Sequence, residues 1–159
     1  MSSYDQARLR LLVDTNVLID FTNVRTPFYE SARLLMALGA VGELELWISS
    51  SQMTDLVYIL SDGGKPKLVP EALERLRKLR SFIKVASVGA DEVDDMLATS
   101  WPDPEDALMH QVALSLKADC IISRDAEGFQ ESTLPVMDCQ GFFEWIKEER
   151  NIVYAEIPL

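Results

Sequence analysis

Four aspartates stand at positions where a parallel α/β fold would gather them into one site. Asp14 ends the apolar run at residues 11–13, and Asp125 follows a second apolar run at residues 120–123. Ligands bind outside the carboxyl ends of strands in open parallel sheets, so we expect Asp14 and Asp125 to meet at one sheet edge. Asp55 and Asp106 fall in the first turns of two predicted helices. The helix of Asp55 directly follows a strand, which favours the same edge.

Carboxylates gathered in this way predict a divalent cation. Like charges in a poorly solvated site repel and raise each other's pKa, and a cation relieves that repulsion. Oxygen ligands without a cluster of cysteine or histidine favour Mg²⁺ or Mn²⁺ over zinc. One or two such ions can activate water and stabilise the charge that develops on a phosphate during in-line attack.

Each aspartate also has a purely structural interpretation. Asp14 and Asp125 suit turns, and Asp55 suits the positive end of a helix dipole. Asp103 suits an N-cap, with Asp106 three residues later in the first helical turn. The order and placement of the four aspartates together, rather than any single position, favour a site.

Three further residues have chemistry that the sequence leaves open. His110 stands four residues after Asp106 and so shares its side of the helix, where it contacts phosphate or metal or serves a structural role. Cys120 and Cys139 lie far apart without metal-ligand spacing. We predict two buried thiols.

Alternating helices and strands are expected to position the site. Strands are predicted at residues 11–13, 44–49, 85–88, 120–123 and 134–137. Helices are predicted from about residue 27 to Gly39 or Gly42, around residues 53–59, and at residues 70–82, 91–98, 104–117 and 141–149. This alternation predicts a mainly parallel sheet with helices on both faces, within one domain spanning residues 1–159.

Composition and charge restrict the class of protein. The chain has 159 residues, of which 48% are hydrophobic and 26% charged, as in folded soluble proteins. No apolar stretch approaches the roughly 20 residues that span a bilayer, so we expect a cytoplasmic protein. The net charge of −11 counts against a nucleic-acid partner, yet residues 65–84 alone carry +5. Arg77, Arg80 and Lys84 are predicted to form one helical stripe, which either guides RNA electrostatically or is a solvated face.

The motifs together resemble the PIN-domain family, which includes the VapC-type toxin ribonucleases. The matching segments are LLVDTNVLIDF at residues 11–21, WISSSQMTDLVYIL at 47–60, DPEDALMHQVALSLKADCIISRD at 103–125, and Phe129. They cover most of residues 10–146 in the family's order. The resemblance implies a three-layer α/β/α sandwich around a central, mainly parallel sheet.

The same resemblance implies an enzyme and its partners. It implies cleavage of single-stranded RNA dependent on Mg²⁺ or Mn²⁺, with a catalytic and metal-binding quartet of Asp14, Asp55, Asp106 and Asp125. Supporting polar positions of the family match Thr15, Asn16 and Ser123. A toxin of a toxin–antitoxin pair would bind an antitoxin protein, and helices such as residues 27–38 could form a homodimer.

Two alternatives remain open at the level of sequence. Asp55 stands where the family usually has glutamate, and its side chain, shorter by one methylene, could lengthen the metal contact or admit a water. The chain could therefore be a catalytically weak or inactive PIN-like module that binds protein or RNA. A phosphatase of the haloacid-dehalogenase type fits poorly, because it usually has a second aspartate where Asn16 stands.

Overall fold

A five-stranded parallel sheet forms the centre of the computed structural model, which describes residues 8–154. The strands are β1 (Arg10–Val13), β2 (Glu45–Ser49), β3 (Ile83–Ala86), β4 (Cys120–Ile122) and β5 (Val136–Met137). Their order is β3-β2-β1-β4-β5, and every neighbouring pair is parallel. Leu11, Leu12 and Val13 of the central strand are fully buried, as expected for a parallel strand covered on both faces.

Helices cover both faces of this sheet. They are α1 (Thr15–Thr22), α2 (Tyr29–Ala40), α3 (Gln52–Leu60), α4 (Val69–Arg80), α5 (Ala90–Ala98), α6 (Pro104–Ser115) and α7 (Cys139–Arg150), and a single 3₁₀ turn spans Glu127–Phe129. One hydrophobic cluster unites Leu11 and Val13 with Leu18, Leu35 and Phe142. The other places Leu12 against α6. Alternate residues of β1 therefore serve opposite faces, and the predicted three-layer α/β/α sandwich is confirmed.

Two elements differ from the prediction in informative ways. The third strand begins at Ile83, which pairs with Leu46 of β2, rather than at residue 85. Helix α1 begins immediately after Asp14, where the sequence analysis assigned no helix. Short runs such as Val17–Ile19 are apolar throughout, and their periodicity does not separate a strand from a buried helix.

The predicted stripe of Arg77, Arg80 and Lys84 is wrong. Helix α4 ends at Arg80, so Lys84 belongs to β3 and not to the helix. Its ammonium lies 3.6 Å from Glu45 Oε1 on the neighbouring strand. Arg80 donates to the carbonyl oxygen of Ile83 at 3.1 Å. Lys84 therefore lies in different surroundings from Arg77 and Arg80, which both line a cavity beside α3 and α4.

Two other expectations concern the thiols and the membrane. Cys120 and Cys139 are both free and buried, which confirms the prediction, and burial raises the pKa of each thiol to about 12. Within residues 8–154, the helices are too short or too polar to cross a bilayer.

Candidate active site

The predicted aspartates meet at the point where the strand order reverses. β2 and β3 lie on one side of β1, whereas β4 and β5 lie on the other. Asp14 follows β1 and donates its backbone N–H to Ile122 of β4 at 2.8 Å. Ser123 and Asp125 follow β4. The carboxyl ends of two adjacent strands thus form the kind of crevice in which parallel sheets bind ligands.

An acidic pocket of about 360 Å³ occupies this crevice, and all four predicted aspartates line it. Asp103, predicted only as an N-cap, lines it as well, and so does Glu105, for which no role was predicted. The pocket thus gathers six carboxylates. Its lining residues are Asp14, Thr15, Asn16, Asp55, Tyr58, Ile59, Asp103, Glu105, Asp106 and Asp125.

Asp14 both caps a helix and faces the pocket. Its Oδ1 accepts a hydrogen bond from the Thr15 backbone N–H at 2.7 Å, which starts α1. Its Oδ2 accepts from the Ser123 hydroxyl, also at 2.7 Å. Burial raises the pKa of Asp14, while these hydrogen bonds oppose the rise. A carboxylate oxygen can accept more than one hydrogen bond. Asp14 can therefore cap α1 and also bind a ligand in the pocket.

Gln52 fixes the ends of β1 and β2, and the sequence analysis missed it. This buried amide accepts from the Ser49 backbone N–H at 2.7 Å and donates to the carbonyl oxygen of Val13 at 2.9 Å. It also donates to the Thr15 hydroxyl at 3.1 Å. Because Gln52 begins α3, it sets the position of Asp55 in the first turn of that helix. An amide three residues after a predicted strand was the available signal.

Asp106 contributes the least compensated carboxylate of the pocket. Asp103 is the N-cap of α6 and accepts from the backbone N–H groups of Glu105 and Asp106 at 2.9 and 3.3 Å. The side chain of Asp106 is only 8% exposed, and its buried Oδ2 has no hydrogen-bond partner in residues 8–154. Burial, together with the charges of Asp103, Asp14 and other neighbouring carboxylates, raises its pKa to about 7.

Gly128 lets two of the carboxylates approach each other. A Cβ at this position would lie 2.0 Å from Asp106 Oδ2 and 2.8 Å from Asp125 Oδ2, so no other residue fits without a shift. The Gly128 backbone N–H donates to Asp125 Oδ1 at 3.1 Å. Asp125 in turn donates its backbone N–H to the Ser123 hydroxyl at 3.0 Å. The turn after β4 thereby holds Asp125 beside Asp106.

An ion pair between Arg124 and a buried aspartate anchors the same turn to α1. The Arg124 guanidinium donates twice to Asp20, with Nε–Oδ2 at 2.7 Å and Nη2–Oδ1 at 3.1 Å. Asp20 is buried, and the guanidinium lies 4.0 Å from the centre of the Phe28 ring. Arg124 stands between Ser123 and Asp125, so the pair fixes both side chains relative to Asp14 at the start of α1. The sequence analysis did not find this pair.

The pocket has the donor set for a hard cation without a preassembled cage. Burial raises the pKa of Glu105, and the charges of Asp55 and Asp103 raise it further. No three acidic, histidine or cysteine side chains within residues 8–154 already converge with the spacing of a metal site. Mg²⁺ keeps several waters and needs only one or two carboxylates, so the unpartnered oxygen of Asp106 beside Asp125 fits it.

Several predicted residues lie away from the pocket. Arg77, Arg80 and Lys84 do not line it. His110 accepts a hydrogen bond from the Thr133 backbone N–H at 3.2 Å and packs 4.9 Å from Trp101, measured between ring centroids. Burial lowers the pKa of His110. These contacts favour the structural interpretation of this histidine.

Fold and pocket together define an α/β protein with carboxylates at the switch point of a parallel sheet. The model of the PIN domain family matches residues 10–127, and the chain therefore belongs to the PIN-domain family. No curated protein matches the chain by sequence.

Three solved structures resemble the chain in fold. VapBC2 from Rickettsia felis, bound to a promoter DNA fragment, is 15% identical, with a TM-score of 0.59 over 82% of this chain and 98% of its own. VapC20 from Mycobacterium tuberculosis, a toxin that cleaves the sarcin–ricin loop, is 15% identical, with a TM-score of 0.58 over 76% of this chain and 94% of its own. PAE2754 from Pyrobaculum aerophilum is 18% identical, with a TM-score of 0.58 over 93% of this chain and 97% of its own.

Proposed function

We propose that this protein is a divalent-metal-dependent endoribonuclease that cleaves single-stranded RNA at the acidic pocket. The family consists of nucleases, and the pocket lies at its sheet switch point. The observation that carries the proposal is the buried, unpartnered Oδ2 of Asp106 among five other carboxylates. A protein that leaves such an oxygen unpaired loses stability, so a ligand for it is the expected compensation.

The carboxylates divide into direct and indirect roles in this proposal. Asp14, Asp106 and Asp125 would hold Mg²⁺ or Mn²⁺ most directly, and Asp55 would help to position the ion. A bound divalent ion supplies an activated water and neutralises charge on the phosphate.

The remaining residues orient these carboxylates. Ser123 holds Asp14 through its hydroxyl and Asp125 through the backbone N–H of that residue. Thr15 holds Asp14 through its backbone N–H, and Asn16 lines the pocket beside it. These bonds fix the carboxylates before substrate arrives, so little reorganisation is needed at the moment of reaction.

A toxin–antitoxin role is the biological setting that we propose. The Rickettsia felis structure contains a VapBC pair, and VapC20 is a toxin, so relatives of the same fold act in this way. An antitoxin would occlude the acidic pocket or its entrance. Co-expression with the product of an adjacent small gene tests this setting, because an antitoxin would suppress the growth arrest that the protein causes alone.

The nuclease proposal is tested by cleavage of end-labelled single-stranded RNAs with Mg²⁺ or Mn²⁺, with and without chelator. Asp14→Asn and Asp125→Asn remove one carboxylate each, and Asp94→Asn serves as a matched control, because Asp94 is exposed on α5 and does not line the pocket. Circular dichroism and thermal melting verify that each variant is folded. We expect metal-dependent cleavage that is lost in both pocket variants and kept in the control.

Other results contradict the proposal. Cleavage that survives chelation or both pocket substitutions would show that the activity comes from elsewhere. A folded protein that cuts none of a broad panel of RNAs would instead indicate the alternative, a PIN-like module without catalysis. The shorter side chain of Asp55 is the feature that would then explain the lost activity, and Asp55→Glu tests it by restoring cleavage.

A further inference from the structure

Two exposed apolar side chains stand in the wall of the acidic pocket. Tyr58 is 62% exposed and Ile59 is 40% exposed, and both line the same cavity as the carboxylates. They lie three and four residues after Asp55 on α3, so they share its side of the helix. Metal binding by carboxylates does not require an exposed aromatic ring at this place.

A glycine turn lies beside the ring of Tyr58. The turn after α3 contains Gly63 and Gly64, with φ of +81° and +82°, a conformation that side chains rarely adopt. Cβ atoms at these glycines would lie 3.7 Å from the Tyr58 hydroxyl and 3.6 Å from Cδ2. Gly63 donates its backbone N–H to the Tyr58 carbonyl oxygen at 2.9 Å, and Gly64 donates to the Ser61 hydroxyl at 3.1 Å. The two glycines therefore leave one side of the ring free of other side chains.

We propose that Tyr58 is the stacking surface for a nucleobase of the single-stranded RNA whose phosphate faces the carboxylates. This inference rests on the proposed function. Proteins that bind single strands stack bases on aromatic side chains, because every base has an apolar face. Base and phosphate belong to one nucleotide, so a cavity that holds the phosphate near Asp55 brings a base within reach of Tyr58. Ile59 extends the apolar surface beside the ring.

A nucleotide suits this surface better than a protein does. The apolar part consists of two neighbouring side chains, which is small for a protein-binding patch. A protein that covered Tyr58 would also bury Asp55 and Glu105, and it would need cations of its own to compensate them. A nucleotide has a base small enough for this apolar surface, and a divalent ion between its phosphate and the carboxylates would compensate their charges.

The test measures the coupling between the ring and individual bases of the RNA. Binding of short fluorescein-labelled RNAs of mixed sequence is followed by anisotropy in the Asp14→Asn background, so that the RNA stays uncut. Each RNA of a series carries one abasic nucleotide, at successive positions. The protein variants are Tyr58→Ala, Tyr58→Leu and Tyr58→Phe. Leu97→Ala is the control for an exposed apolar residue, because Leu97 is 73% exposed on α5 and does not line the pocket.

We expect Tyr58→Ala to weaken binding of intact RNA about 5- to 150-fold, the range measured for single base–aromatic stacks. One abasic position should weaken binding to a similar extent with Tyr58 in place and have no effect with alanine there. Phenylalanine should retain the affinity, whereas leucine should not. Leu97→Ala should bind like the parent protein.

Two results overturn the inference. Equal affinity of Tyr58→Ala and its parent for RNA would exclude stacking, as would abasic effects that persist unchanged in Tyr58→Ala. The outcome is separable from that of the proposed function. RNA cleavage by the wild-type chain without base coupling at Tyr58 would refute only the stacking surface. Coupled binding without any cleavage would support the stacking surface and refute the nuclease.

Discussion

Replacing Asp106 with asparagine should stabilise the metal-free protein while it removes the proposed activity. Asparagine keeps the shape of the side chain and removes its charge from a pocket of six carboxylates. In the wild type, burial and neighbouring charges raise the pKa of Asp106 from its usual 3.8 to about 7. A change of this size corresponds to about 4 kcal/mol, which we halve to about 2 kcal/mol because salt and solvent screen the pocket charges.

The sign of this effect depends on pH. Below pH about 4, Asp106 is protonated in both the folded and the unfolded chain, so its ionisation does not lower the free energy of unfolding. Between pH about 4 and 7 the folded chain holds a proton that the unfolded chain has released, so wild-type stability falls as pH rises. Above pH about 7 Asp106 is ionised in both the folded and the unfolded chain, and the free energy of unfolding is lowered by the full amount. Asp106→Asn should therefore show no gain at low pH and the full gain at pH about 8.

Thermal and urea unfolding in chelator measure the gain. A gain of about 2 kcal/mol corresponds to a rise in Tm of about 4–8 °C for a chain of this size. Adding Mg²⁺ or Mn²⁺ should stabilise the wild type by about 2.7 kcal/mol at 100 times the dissociation constant, and should stabilise Asp106→Asn much less. Asp119→Asn is the matched control, since Asp119 lies outside the pocket. Loss of stability in Asp106→Asn at pH about 8, or an equal metal response in both proteins, would refute the reasoning.

Three further predictions concern Gly128, the ion pair of Asp20 and the buried cysteines. Gly128→Ala should lower the cleavage rate by about 100-fold, because the added Cβ would displace the carboxylates of Asp106 and Asp125. Gly141→Ala on α7 should leave the rate unchanged. Equal rates for the two variants would contradict the close approach of the two carboxylates to Gly128. Arg124→Met should cost about 3 kcal/mol, because the buried Asp20 then keeps only the 4.0 Å contact to Arg25. Arg25→Met, which removes a 4.0 Å contact to the same aspartate, should cost under about 1 kcal/mol, and equal losses in urea unfolding would exclude a dominant role for Arg124. The two buried cysteines should react with a thiol reagent at pH about 8 only as fast as the chain unfolds, and rapid reaction in the native state would contradict their burial.

The sequence was sufficient for the general fold because its signals are local. Regular alternation of apolar strands with amphipathic helices predicts a parallel sheet, and the strand ends then locate Asp14 and Asp125. Where local signals are ambiguous, the prediction was wrong or incomplete. Residues 15–22 form a helix from a short apolar run, and Lys84 moved from a helical stripe to a strand because α4 ends at Arg80.

The supporting contacts of the pocket could not be predicted because they join distant parts of the chain. Gln52 reaches Val13 across 39 positions, and Arg124 reaches Asp20 across 104. No periodicity marks such pairs, since their partners are set by the packed fold. No role was predicted for Glu105, and only the folded pocket shows it beside Asp55. No role was predicted for Tyr58, because an aromatic residue that lines a pocket has the same local pattern as one that packs in the core.

Analysis of the cleaved ends tests the central claim most directly. RNA is incubated with the wild-type protein and Mg²⁺ in water enriched in heavy oxygen, and early products are analysed by mass spectrometry. If the carboxylate pocket promotes attack by water, each cut should leave a linear terminal phosphate carrying one heavy oxygen, and chelator should abolish these products. Early products that end in a cyclic phosphate would show attack by the ribose 2′-hydroxyl and would contradict the account.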